Sequence, residues 1–205
     1  MLSLLNKRLL DAATIEQLQQ RIALYEDMKA YKQLYYQLFD GLHRFSYSMV
    51  RSKEVAEEIV SDVFIKIWQI RARLGEIGNL KVYVYTITKN FSLNYLQRTY
   101  KNAPVSIEEV EVEPSIEMRN PEELFISAEI MQTIRQAILQ LPPQCRLVFQ
   151  LVKEDGLKYK EAAEVLNISA LTVRNQLAIA IRKLGETLPA PVQKLIPTAK
   201  LFSAS

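Results

Sequence analysis

Five glycines among 205 residues narrow what this chain can become more than any other feature. That is about 2% against a usual ~7%. Hairpins and tight turns draw on glycine for backbone that other residues avoid, so the scarcity argues against a β-rich fold. Helical periodicity fills the space instead, and no strand pattern competes with it. The spacing predicts helices near 14–27, 29–50, 52–71, 80–98, 122–141, 143–154, 158–166 and 170–186. Boundary chemistry supports several of them. Ser52 can cap the third helix with Glu54 in its first turn. Asn120–Pro121 reads as a cap followed by proline at the first helical position. Leu141–Pro142–Pro143 must interrupt one helix and restart another, and Asp155–Gly156 reads as a stop. The fold class is all-α.

Composition removes whole classes of function. A hydrophobic fraction of 49% is ordinary for a globular chain and too high for a disordered one. No apolar run approaches the ~18 residues of a membrane span, so no membrane insertion is expected. One cysteine, Cys145, and one histidine, His43, exclude a disulfide framework and leave no Cys/His metal site. Cys145 reads as an inert packing thiol and His43 as a partly exposed surface residue. The opening MLSLLNKRLL begins like a secretory signal, but Asn6, Lys7 and Arg8 break its apolar stretch. A cytoplasmic location follows as the expectation.

The net charge of +3 hides an uneven distribution. Residues 1–98 and 124–205 are each mildly basic, whereas 99–123 carry two basic and seven acidic groups with three prolines. The middle stretch reads as an extended linker. The resulting organisation is a helical domain over 1–98, an acidic linker over 99–121, a second helical domain over 122–186, and a tail over 187–205. Neither residues 1–14 nor the tail carry a recognisable role.

Residues 157–184, LKYKEAAEVLNISALTVRNQLAIAIRKL, form a helix-turn-helix pattern. Asn167 tolerates left-handed backbone, Ser169 caps the second helix, and Ala162 with Ala163 permits close helix approach. At 100° per residue, Val173, Leu177, Ala180 and Leu184 fall on one stripe and pack inward. Leu171, Asn175, Ala178 and Arg182 face out, flanked by Thr172, Arg174 and Gln176. The outward N-terminal part of such a helix is what enters a DNA major groove.

In the first domain, Ala56, Val60, Val63, Phe64 and Ile67 turn to a core, while Glu54, Glu58, Ser61, Asp62 and Gln69 gather on one polar arc of about 100°. Glu58 and Asp62 could serve acid–base chemistry. No nucleophile, metal-ligand set or phosphate loop accompanies them, so no enzymatic activity and no cofactor are expected. A solvated face or a partner-docking face remains. The following loop, RARLGEIGNL, leads into KVYVYTITKNFSLNYLQR. There Val84, Ile87, Phe91 and Tyr95 are expected inward, with Lys81, Tyr85, Thr86 and Lys89 outside or flanking. Cations interleaved with rings beside a loop suit single-stranded nucleic acid, which such surfaces hold by phosphate contacts and base stacking.

These residues resemble a known family. Ala56-Glu-Glu-Ile-Val-Ser-Asp-Val-Phe-Ile-Lys-Ile-Trp68, Val84-Tyr-Thr-Ile-Thr-Lys-Asn90 and Tyr95-Leu-Gln-Arg98 are similar to region two of the extracytoplasmic-function sigma factors. Leu141-Pro-Pro-Gln144 with the helix-turn-helix ending at Leu184 is similar to their region four. The resemblance spans about residues 20–186. It implies a promoter-specificity subunit whose partners are core RNA polymerase, promoter DNA and, where one exists, an inhibitory anti-sigma protein. It further implies polymerase docking by Glu54, Glu58, Ser61, Asp62 and Gln69. The loop 72–79 would capture a flipped base of the minus-10 element, and Gly75, Glu76, Gly78, Asn79, Lys81, Tyr83, Lys89 and Asn90 would meet that strand. Leu171, Thr172, Arg174, Asn175, Gln176 and Arg182 would read the minus-35 element. An acidic linker would thread the polymerase as a nucleic-acid mimic.

Two departures stand out. Tyr83 replaces a usual tryptophan, and Ala178-Ile-Ala-Ile181 replaces a commonly basic stretch. Two other readings compete: a free-standing helix-turn-helix regulator, and an adaptor that binds only proteins. The polar arc beside a glycine-containing loop favours the polymerase subunit, because a dimeric regulator needs neither.

Overall fold

The computed structural model describes the backbone of residues 2–99 and 128–188. Side-chain surroundings are described from Thr14 onward, with residues 128–131 and Arg135 left aside. Apart from Thr99, which closes the last helix of the first domain, the linker over 99–121 lies outside the described residues, as do most of the tail and the Asn120–Pro121 cap. Every element among the described residues is helical.

Four helices build the N-terminal domain: α1 (Leu2–Tyr25), α2 (Met28–Val50), α3 (Lys53–Gln69) and α4 (Leu80–Thr99), with a short 3₁₀ helix, Arg71–Glu76, before α4. α1 begins well before the expected residue 14 and ends two residues short of the expected 27. Asp27 explains the early end. Glu26 takes a positive φ of 48°, and the Asp27 carboxylate then accepts from the backbone N–H groups of Lys29 (2.8 Å) and Ala30 (3.1 Å), starting α2. Arg21 holds the same carboxylate at 2.6 Å. Central α2 packs against α1, α3 and α4, and contributes Leu34, Leu42 and Phe45, each fully buried. Ser52 caps α3 as expected, accepting from Val55 N–H at 3.2 Å.

The C-terminal domain comprises α5 (Ala128–Leu139), α6 (Pro143–Phe149), α7 (Tyr159–Leu166) and α8 (Ala170–Thr187). α5, α6 and α7 all pack on α8. Arg146 of α6 donates to the carbonyls of Ile138, Leu139 and Leu141. It thereby satisfies the orphan acceptors at the end of α5, a need that every helix C-terminus shares. The expected single helix over 143–154 divides: Gln150–Glu154 widen into a π turn. Asp155 N–H reaches back five residues to Gln150 (2.9 Å), and Leu157 N–H bonds Leu151 (2.8 Å). Gly156 permits this reversal with φ of 75°, a region that favours glycine.

No described helix is long and apolar enough to cross a membrane.

Candidate nucleic-acid interface

α3 presents its expected polar arc. Glu54, Glu58, Ser61, Asp62 and Gln69 are all exposed, and Ala56, Val60, Val63, Phe64 and Ile67 are buried. Ser52 Oγ donates to Glu54 at 2.8 Å. Glu54's carboxyl sits below its ordinary pKa, chiefly through its own backbone N–H and then this hydroxyl. Ser61 donates to the Glu57 carbonyl at 2.9 Å. Ile65, one turn beyond Ser61 and Asp62, is 54% exposed. Carboxylates beside an exposed branched side chain offer a partner both charge and apolar area.

The 3₁₀ helix after α3 is held from beneath. Leu74 is fully buried, and α1 lies against the segment. Gln19 of α1 is buried, and its Nε2 donates to the carbonyls of Leu74 (2.6 Å) and Ile77 (2.7 Å). Arg71 sits over the Trp68 ring, 4.8 Å from its centroid, and pairs with Glu26 at 3.2 Å. The outer edge is different. Gly75, Glu76, Gly78 and Asn79 are exposed. A Cβ on Gly75 or Gly78 would meet nothing within 4 Å, and neither glycine has a positive φ. Neither backbone strain nor packing requires glycine at these two positions.

The two domains meet at the start of α4. Asn79 Oδ1 caps α4 by accepting from Val82 N–H at 3.1 Å, and its Nδ2 donates to Glu161 of α7 at 3.1 Å. Glu161 also accepts from Lys158 N–H at 2.7 Å, closing the first turn of α7. Lys81 Nζ donates to the Asp155 carbonyl at 2.6 Å. Behind these contacts Arg44 of α2 bonds the Asp155 carboxylate at 3.0 Å, with side chains only 6% and 1% exposed. Burial pushes the Asp155 carboxyl from its ordinary 3.8 up to about 6, against the opposing pull of the Arg44 and Lys81 charges and hydrogen bonds from Arg44 and Tyr85. The Tyr85 hydroxyl reaches this pocket because position 41 is glycine: a Cβ there would collide with it.

Three expectations about exposure change. Tyr85 and Lys89 were expected outside or flanking, but they are 2% and 7% exposed. α1, α2, α3 and α7 all pack on α4, so it keeps little free face. Burial holds the Lys89 ammonium below its ordinary pKa. Tyr83 is half-buried and Asn90 exposed. The third change concerns Gln176, which is turned toward α6: it accepts from the Cys145 thiol at 2.8 Å and donates to Gln144 at 3.3 Å. Cys145 itself is buried, which pushes its thiol pKa up.

The second helix of the helix-turn-helix otherwise follows the expected pattern. Asn167 is left-handed with φ of 57°. Ser169 accepts from Thr172 N–H at 2.9 Å, and the two hydroxyls lie 2.8 Å apart. Val173, Leu177, Ala180 and Leu184 are buried. Leu171 (64% exposed), Arg174, Asn175, Ala178 and Arg182 face outward, with Thr172 half-buried. Glu186 approaches Arg182 at 3.9 Å. Tyr159, Leu171, Ala178 and Ile181 line a groove of about 380 Å³ beside Arg174. Among the described residues no group of His, Cys, Asp and Glu could hold a metal ion.

The sequence pattern gives no role to Gln19, Arg44 and Glu161, and it reads Asp155 only as part of a helix stop. The one local signal was a glycine inside the α2 pattern, three residues before Arg44.

Two family models match separate parts of the chain. Residues 34–101 match the family described as Sigma-70 region 2, and residues 131–184 match Sigma-70, region 4. The ECF RNA polymerase sigma-E factor of Escherichia coli is 29% identical over 146 residues, which span 68% of this chain and 74% of that protein. The ECF RNA polymerase sigma factor SigM of Bacillus subtilis is 22% identical over 152 residues, 74% of this chain and 91% of its own. CnrH, solved in complex with the cytosolic domain of CnrY, shares the fold with a TM-score of 0.55 at 18% identity, covering 84% of this chain and 96% of that one.

Proposed function

The chain belongs to the sigma-70 family, in its extracytoplasmic-function branch, and acts in transcription initiation; from that premise we propose that it binds core RNA polymerase, directs it to specific promoters and opens the minus-10 element. The observation that carries this reading is the adjacency of two surfaces on one domain. The exposed acidic arc of α3 ends where the glycine-bearing loop begins, and that loop is fixed beneath and open above. An anchored loop with room over its glycines suits capture of an extruded base, since unstacking costs a few kcal/mol that pocket contacts and stacking return.

In this reading Glu54, Glu58, Ser61, Asp62 and Gln69 meet the polymerase, with Ile65 supplying apolar contact. Gly75, Glu76, Gly78, Asn79, Lys81, Tyr83 and Asn90 approach the melted strand. Lys89 acts from beneath that surface, or is freed when the helices around α4 move. Leu171, Thr172, Arg174, Asn175 and Arg182 read the minus-35 element, and Gln176 supports them through α6. Asn79 and Lys81 bond the C-terminal domain in the packed form, so strand binding requires that domain to swing away. A protein partner that holds the two domains together would keep the strand-binding surface covered and so act as an anti-sigma factor; the similar CnrH was solved in complex with the cytosolic domain of CnrY. The chemistry is binding rather than bond-making, and the location is the cytoplasm, where the polymerase works.

The test is transcription in vitro with core enzyme. Templates selected from random duplex by the reconstituted complex should give discrete start sites and permanganate-reactive thymines over the start region. Selection of DNA by the chain alone, with no effect of core enzyme, would favour the free-standing regulator.

A further inference from the structure

We propose that Gln19 is a positioning residue for promoter opening, holding the loop 71–79 in the shape that receives the extruded base. The inference rests on the reading of that loop given above. Gln19 lies outside both family matches, which begin at residues 34 and 131. It is 7% exposed on a helix whose neighbouring buried positions, Ile15, Leu18 and Ile22, are apolar. A buried amide in such a stripe is costly unless its hydrogen bonds are made.

Both bonds go to one place. Gln19 Nε2 donates to Leu74 O at 2.6 Å and to Ile77 O at 2.7 Å, across sequence separations of 55 and 58 residues. Leu74 O already accepts from Ile77 N–H at 3.0 Å. A 3₁₀ helix of six residues has few internal bonds with which to fix its own end, and the carbonyls around a last turn draw on a partner from outside the helix. One amide group from α1 supplies that partner, on the side of the segment opposite to its exposed glycines. The result is a loop whose inner edge is bonded and whose outer edge, Gly75, Glu76, Gly78 and Asn79, is presented without having to be ordered by the ligand. Preorganisation of this kind lowers the cost of binding and leaves the other contacts unchanged.

The experiment compares full-length Gln19→Met, which keeps length and helix propensity but removes the donor, with Gln19→Glu, which puts an acceptor against two carbonyls. A third variant replaces residues 75–79 by alanine and serine. Each is assembled with core enzyme and assayed on a selected duplex promoter and on the same promoter with its start region pre-melted. Amide hydrogen exchange is followed on the free chains. Both Gln19 variants should bind core like the parent, exchange faster only over 72–79, open duplex about tenfold more slowly, and recover on the pre-melted template. Normal opening by both Gln19 variants, where the 75–79 replacement is defective, would overturn the inference and leave the loop's role standing. Normal opening by the 75–79 replacement would instead remove the base-capture reading itself, and the inference with it. Loss of core binding together with opening, or faster exchange throughout α1 and α4, would show a merely structural glutamine and would equally overturn it.

Discussion

Arg44 and Asp155 are 111 residues apart in the chain and 3.0 Å apart in the fold, joining the N-terminal domain to the C-terminal one through a buried ion pair. Two other Arg44 nitrogens, Nε and Nη1, are buried with no protein partner. Asp155 is therefore the principal compensation for a desolvated cation.

Removing either partner of this buried pair leaves the other's charge uncompensated. Arg44→Met strands a buried carboxylate, a change that typically costs ~3–5 kcal/mol. Asp155→Asn keeps the shape but leaves the Arg44 guanidinium, which cannot shed its proton, without its counter-charge, so it should cost a similar amount. The sign for pH follows. A carboxyl whose pKa is higher in the packed state takes up a proton on packing, so packing is weakest above pH 6 and strengthens as pH falls from about 6 towards 4. Small-angle scattering should show the Arg44→Met chain more extended than the parent at neutral pH, with the difference narrowing on acidification. A parent chain that opens on acidification would contradict the assignment.

Gly41 and Tyr85 give an independent handle on the same junction. Gly41→Ala places a methyl group against the Tyr85 hydroxyl. Overpacking of this kind costs ~1–3 kcal/mol. Adding Tyr85→Phe should return most of the loss, since the colliding oxygen is gone. Urea midpoints of the two single variants and the double variant form a cycle whose coupling term should be clearly favourable. Additive losses would place the effect of residue 41 elsewhere, for instance in helix propensity.

The acidic arc is separable from the core. Glu58→Arg together with Asp62→Arg should abolish comigration with core polymerase, because reversed charge at an interface costs several kcal/mol. Both residues are exposed, so the loss of stability should stay under ~0.5 kcal/mol. Native circular dichroism with unchanged comigration would remove α3 from the docking surface.

The outward face of α8 carries few cations. Ala178 and the half-buried Ile179 neutralise no phosphate, and Glu186 lies 3.9 Å from Arg182. Each phosphate contact adds about 0.9 to the slope of log K against log salt. Arg174→Ala should lower the slope for duplex binding by roughly one, with affinity reduced at every salt concentration tested. An unchanged slope would mean that Arg174 meets a base edge or no DNA at all.

The sequence by itself determined the local elements. Periodicity located eight helices; Ser52 and Ser169 marked boundaries because capping is a short-range bond between a side chain and backbone three residues away, and Asn167 because it tolerates left-handed backbone. The inward stripes of α3 and α8 were legible for the same reason: each helix has one buried side, and a wheel finds one side well. Tertiary structure alone decided the rest. A wheel assigns α4 one buried face, yet four other helices pack on it, so Tyr85 and Lys89 are covered despite lying on the side read as open. Gln176 looked like a flanking DNA contact until α6 brought Cys145 and Gln144 against it. Asp155 looked like part of a helix stop, which it is, but the π turn also delivers its carboxylate to Arg44. Pairings such as Gln19 with Leu74 and Arg44 with Asp155 leave no periodic trace, because they depend on where whole helices come to rest against one another.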